Sequence, residues 1–201
     1  MASTTISTKD ISELRQRTGA GMMDCKRALE ETGGDLDGAA ELLRKKGIAK
    51  AEKRAGRSAG EGVVVSYIHH NQQVGVLLEL NCETDFVART DDFQALARDL
   101  ALHVASTDPV GVGPDDVPAE LVDRERRIAA EQAAAEGKPE AVREKIVEGK
   151  VRKFIAERAL TEQPFVKDDS RTVGQLVKEA SGKLGEVVTI RRFSRFKIGE
   201  E

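Results

Sequence analysis

Between Val74 and Cys82 the sequence alternates. Val74, Val76, Leu78, Leu80 and Cys82 fall on one side, and Gly75, Leu77, Glu79 and Asn81 on the other. That period of two specifies a β-strand with one face in a core. The alternation ends at Glu83-Thr84-Asp85, and a large ring, Phe86, follows at once, with Val87 behind it. A helix is expected to begin near Thr90. Phe86 therefore sits where a strand leaves its sheet, beside a carboxylate. An aromatic in that place has two readings. It plugs the end of the local core, or it stays exposed as an anchor for a partner, on a loop held by a rigid scaffold. The residues alone leave both open.

A chain of 201 residues holds one ordinary domain plus a small one. With 33% charged, 39% hydrophobic and 3% aromatic residues and no Trp, it suits a helix-rich, charged protein. Its core must come mostly from Ala, Leu, Val and Ile. A net charge of -3 makes no electrostatic case for a general nucleic-acid binder. Cys25 and Cys82 lie far apart with no paired spacing, which suits two buried thiols in a reducing cytoplasm. Met1 to Asp10 has neither an apolar run nor an Arg-rich face, so no targeting segment is expected. No apolar run is long enough to cross a membrane.

Taken in order, the chain divides into five stretches. Residues 1–46 read as three short amphipathic helices with Gly-bearing turns, a module that resembles the ubiquitin-associated fold. Thr8 is the expected cap of the first helix, which carries Ile11 and Leu14, and Asp35 the cap of the third. Cys25, Ala28, Leu29 and Thr32 line the second. Met22 and Met23 precede it, about 100° apart on a helix, so both can hardly face one small core. Met22 is the better core candidate. Met23 is left at the rim, where a thioether suits partner contact.

Residues 47–62 read as a basic linker. The run Arg44, Lys45, Lys46, Lys50, Lys53, Arg54 and Arg57 lacks aromatics and is read as a solvated helix, with an RNA-binding tract as the alternative. Residues 63–118 read as a β-hairpin turning at His70 to Gln73, then a helix bearing Phe93, Leu96, Ala97, Leu100 and Val104. His103 is expected on that helix's flank, and His69 and His70 near the turn with no third metal ligand. Residues 119–160 read as a polar helical hairpin hinged at Gly137-Lys138-Pro139, expected to project from the body. Residues 161–201 return to the core with a short helix capped by Thr172, a turn bracketed by Gly182 and Gly185, and a last strand whose alternation slips between Ile190 and Phe193. The class is α+β: the helical module, then a small antiparallel sheet packed on helices.

Two stretches carry a family resemblance. Leu14-Arg15-Gln16-Arg17-Thr18-Gly19-Ala20-Gly21-Met22-Met23-Asp24-Cys25-Lys26-Arg27-Ala28-Leu29 resembles the N-terminal signature of bacterial elongation factor Ts. Glu79 to Val87, with Glu-Thr-Asp-Phe-Val at its heart, resembles the family's central signature. Two long motifs in the right order are far more specific than a lone short one. The resemblance implies a cytoplasmic guanine-nucleotide exchange factor for elongation factor Tu, meeting that partner in its GDP-bound and nucleotide-free states. It implies that Thr84, Asp85, Phe86 and Val87 press toward the partner's magnesium site, with Phe86 as the wedge. Arg15, Met22 and Met23 match positions that grip the partner's nucleotide-binding domain. It implies a coiled-coil element in the helical hairpin. Long members of the family carry a second core half and a further C-terminal helical module. This sequence resembles the short, single-core-repeat form, whose members work as homodimers.

The residues agree with a binder rather than an enzyme. There is no phosphate-loop motif, nucleophile elbow or metal-ligand cluster, and no nucleophile and base are suitably placed. No cofactor, membrane or direct nucleic-acid contact is expected. A ribosome- or RNA-associated scaffold using the basic linker is the alternative function.

Overall fold

The computed structural model describes residues 6–54, 56–137 and 139–200. Met1 to Thr5 of the segment read as free of a targeting signal, Ala55 of the basic stretch, Lys138 of the hinge and the terminal Glu201 lie outside the described residues. The chain forms two compact units. One holds residues up to Gly62, Asn81–Phe93 and Val177–Thr189, and the other holds Val63–Leu80, Gln94–Leu176 and the residues from Ile190 onward.

The first unit begins with α1 (Thr8–Thr18), α2 (Met22–Glu31) and α3 (Leu36–Glu52). Ser7, not Thr8, caps α1. Its hydroxyl accepts the Asp10 N–H at 3.1 Å, and the Asp10 carboxylate accepts the Ser7 N–H at 3.3 Å. Thr8 is already helical, so its side chain is not the one aimed at the free N–H groups. Gly19, at a φ of 68°, ends the helix in a conformation that favours glycine. Asp35 caps α3 as expected, accepting the Asp37 N–H at 3.0 Å. Ile11, Leu14, Cys25, Ala28, Leu29 and Ala39 form the module's small core. α3 continues unbroken through Glu52, so the boundary drawn at 46/47 falls inside a helix. Most of the basic run is matched locally: Arg44 with Glu179, Lys45 with Glu41, Lys46 with Glu31, Lys50 with Asp24 and Arg57 with Glu83.

The sheet has the order β1–β2–β5, with β1 (Glu61–Ile68), β2 (Val74–Cys82) and β5 (Thr189–Lys197). Val76, Leu78, Leu80 and Cys82 are buried and Leu77 is exposed, so the alternation of β2 reports its buried face correctly. On β5 the buried Ile190 and half-buried Phe193 are out of step, which is the slip seen in the sequence. α4 (Asp85–Ala88) is a single turn, followed by α5 (Asp91–Thr107) with Phe93, Leu96, Ala97, Leu100 and Val104 all buried.

α6 (Ala119–Ala135) and α7 (Glu140–Arg158) form the helical hairpin. Its seam is thin and built largely from Ala129, Ala133 and Val151, while Ile128 and Val142 remain exposed. A two-stranded sheet of β3 (Pro164–Phe165) and β4 (Asp168–Thr172) precedes α8 (Val173–Leu184). Thr172 caps α8 as expected, its hydroxyl accepting the Gln175 N–H at 3.2 Å. Gly182 does not bracket a turn. It lies inside α8, where a Cβ would stand 2.7 Å from the Gly47 carbonyl carbon and oxygen of α3. Among the described residues no helix is long and apolar enough to cross a membrane.

His103 does not ride on a flank. It is fully buried, its Nε2 3.0 Å from the Gln163 Oε1 and its Nδ1 accepting the Val166 N–H at 3.1 Å. An acceptor role at Nδ1 assigns the proton to Nε2, which donates to Gln163. Burial holds the His103 pKa below its ordinary value of 6.5, against the opposing effect of the Gln163 hydrogen bond.

Candidate functional site

β2 ends at Cys82 because the next residues turn their backbone N–H groups to a side chain instead of a strand. The Glu186 carboxylate accepts the N–H of Glu83 at 3.1 Å and of Thr84 at 3.0 Å through one oxygen. Its other oxygen accepts the Thr84 hydroxyl at 2.6 Å. The exchange is reciprocal, since Glu83 Oε1 accepts the Val187 N–H at 2.8 Å. Thr84 then serves as the N-cap of α4, its Oγ1 accepting the Val87 N–H at 3.4 Å. Thr90 Oγ1 closes the far end by donating to the Val87 carbonyl at 2.8 Å.

This frame fixes α4 and leaves one large side chain outside it. Phe86 is 80% exposed. The plug reading is therefore wrong for this residue, because the core beneath is already closed by Cys82 and Ala88, both buried. Asp85 is not the carboxylate that orients the segment through backbone N–H groups. Glu186 has that place, and Asp85 pairs with Arg89 at 2.8 Å on the surface. Burial pushes the Cys82 thiol up to about 11, with the Glu186 charge adding to it, so the thiol stays protonated. It donates to the Thr84 carbonyl at 3.1 Å, one more tie on the same residue.

The second group of predicted residues flanks the turn between α1 and α2. Arg15 is exposed, and its carbonyl accepts the Gly19 N–H at 2.8 Å. Met22 is 56% and Met23 62% exposed. The expectation of Met22 in the core is corrected. Cys25, Ala28 and Leu29 already fill that space, and Met22 stands one turn above them at the open end of the helix. Both thioethers therefore face outward. Arg15, Met22 and Met23 form one group and Thr84 to Val87 another, within the same compact unit. Among the described residues there is no group of three or more His, Cys, Asp or Glu suited to hold a metal ion.

A family model described as elongation factor TS matches residues 43–200. An elongation factor Ts of Syntrophomonas wolfei is 54% identical over 97% of this chain and 91% of its own. That of Thermosipho melanesiensis is 53% identical over 97% of this chain and 100% of its own, and that of Desulfosudis oleivorans 50% over 98% and 99%. The chain belongs to the elongation factor Ts family. The match covers almost the whole length of the last two relatives. Both signature stretches read from the sequence now have a structural counterpart: the α1–α2 turn with its exposed Met pair, and α4 with its exposed Phe86.

Proposed function

We propose that this chain is a guanine-nucleotide exchange factor for elongation factor Tu in translation elongation, acting in the cytoplasm and binding that partner in its GDP-bound and nucleotide-free states. The observation that carries the reading is Phe86, 80% exposed on a helical turn whose backbone is held on both sides of it, through the Thr84 and Val87 N–H groups, in a member of this family. An exposed aromatic on a rigid base loses little freedom on docking and gains the burial of its ring.

The partner would hold GDP through a phosphate loop and a magnesium ion that neutralises phosphate charge. The factor supplies no group to a covalent step. It binds best to the partner conformation in which the magnesium and phosphate contacts are broken. Its affinity and that of GDP then oppose each other by one coupling free energy, felt equally from either side. In this scheme Arg15, Met22 and Met23 hold the nucleotide-binding domain, and Thr84 to Val87 bring Phe86 against the magnesium site. Local matching of the basic run by carboxylates leaves little free charge for RNA, which favours this reading over the scaffold alternative. A second copy of the chain completes the assembly through the exposed face of the sheet.

The deciding measurement is release of a fluorescent GDP analogue from elongation factor Tu on mixing with the purified chain. Release accelerated in proportion to factor concentration and then saturating is the expected result. RNA binding without acceleration would instead establish the scaffold.

A further inference from the structure

We propose that Glu186 is a positioning residue for nucleotide exchange, holding Phe86 in the orientation that the partner meets; this rests on the exchange-factor reading above. The carboxylate receives three hydrogen bonds, all from Glu83 and Thr84, the residues immediately before α4. The hydroxyl bond matters most. A hydroxyl has one hydrogen and two lone pairs. By taking the Thr84 hydrogen at 2.6 Å, Glu186 leaves Thr84 Oγ1 only an acceptor toward α4, where it caps the Val87 N–H at 3.4 Å. One side chain thus sets both the exit of β2 and the start of the turn that bears Phe86.

Glu186 is itself held. Ser181 donates its hydroxyl to the Glu186 carbonyl, and Val187 donates its N–H to Glu83 at 2.8 Å. α8, which leads into Glu186, lies against α3 at the Gly47–Gly182 approach. Ion pairs Arg44–Glu179 at 3.6 Å and Lys178–Glu52 at 3.4 Å flank that contact. α3 belongs to the helical module that carries Met22 and Met23. Within one compact unit, a continuous run of packed and hydrogen-bonded parts therefore joins the helical module to Phe86, and Glu186 is its last link. Neither signature motif contains Glu186, and of the residues that the exchange-factor reading gives to the partner its side chain bonds only Thr84.

The test is a double-mutant cycle of Glu186→Ala and Phe86→Ala, read by stopped-flow GDP release over a range of factor concentrations. Glu186→Ala is expected to lower the saturated release rate roughly tenfold, the scale of losing one charge-assisted hydrogen bond's worth of orientation. The half-saturating concentration should stay within about twofold, because the Met22 and Met23 group is untouched. In the Phe86→Ala background the same change should have almost no further effect, since Glu186 acts through Phe86. Hydrogen exchange should show faster exchange at the Val87 and Ala88 amides, with α1 to α3 unchanged. If Glu186→Ala does not fold, Glu186→Gln decides. It keeps the shape but replaces one accepting oxygen by an NH2 group, so it can no longer take the Thr84 hydrogen and both backbone N–H groups on separate oxygens, and a smaller loss of the same kind is expected. An unchanged saturated rate, or a loss that simply adds to that of Phe86→Ala, overturns the proposal while leaving the exchange function standing. A wild-type chain that fails to accelerate GDP release brings down the functional reading instead, and is recognised before any variant is made.

Discussion

Phe86 shows what one residue can and cannot reveal. The sequence places it at a strand exit, yet a buried plug and an exposed anchor look alike there. The strand exit is held by Glu186, 102 residues later than Thr84, whose carboxylate accepts the Thr84 N–H. The structure removes the plug, so Phe86→Ala should leave the melting temperature nearly unchanged. Burying such a ring in a partner is worth about 1.5–3 kcal/mol. Each 1.4 kcal/mol or so is a tenfold change in rate, so Phe86→Ala should slow saturated GDP release roughly ten- to a hundredfold. Stopped-flow release and a thermal melt on the same variant check both halves. A normal rate in a folded variant rules out the wedge. The Met pair gives the opposite lesson. Adjacency on a helix correctly says that both cannot be core, but it does not say that a core already filled by Cys25, Ala28 and Leu29 needs neither.

Among the elements, the long amphipathic ones are legible and their contacts are not. α5 is read from its stripe, but His103 sits at the stripe's edge and is buried because residues 163–166 return across it, about sixty positions on. Nothing local announces that cover. The burial has a measurable consequence. His103 titrates near 6.5 when unfolded and lower when folded, so over that window the unfolded chain binds a proton that the native chain refuses. Its contribution is fully present above the unfolded value and is lost as pH falls through the folded value. The urea midpoint should therefore drop as pH falls below the ordinary histidine value of 6.5, and His103→Gln should flatten that drop. A wild-type midpoint that holds steady across the range would show that His103 is free to protonate in place. Gly182 is the second case, a helix-interior glycine that the sequence reads as a turn. Alanine there adds about 1 kcal/mol of helix propensity but forces a Cβ onto Gly47 backbone, and overpacking of this kind costs about 1–3 kcal/mol. Gly182→Ala should lower stability by roughly 1 kcal/mol net. Gly47→Ala should not, because its Cβ would meet the Gly182 Cα at an ordinary 3.7 Å. Thermal melts of the pair separate the steric account from a general intolerance of change on these helices.

At the scale of the molecule, the sheet poses a question of partners. With the order β1–β2–β5, its edge strands are β1 and β5, and open edges invite pairing. One face of the sheet is covered, yet Val64, Ile68, Leu77 and Phe196 are each at least half exposed. Ile68, Gly75 and Phe196 line one hollow, which places the β1 and β5 side chains together across β2. A monomer seldom leaves so many large apolar groups in one place unless something covers them. A two-fold axis would set this patch against its own copy. The strands are 8, 9 and 9 residues long. At about 4.8 Å between strands and 3.3 Å per residue, the face measures roughly 400 Å². That is below the ~800 Å² per partner of a standard interface, so the face alone supports a modest affinity unless edge strands or loops add to it. A homodimer whose population rises with concentration is the expected state. Light scattering over a dilution series should show the mass fall from dimer toward monomer, and Leu77→Glu with Phe196→Glu should leave a monomer at every concentration. Because Phe86, Met22 and Met23 lie in the other compact unit, that monomer should still bind elongation factor Tu through them. A wild-type chain that is monomeric throughout, with full exchange activity, would show that the exposed face serves no second copy.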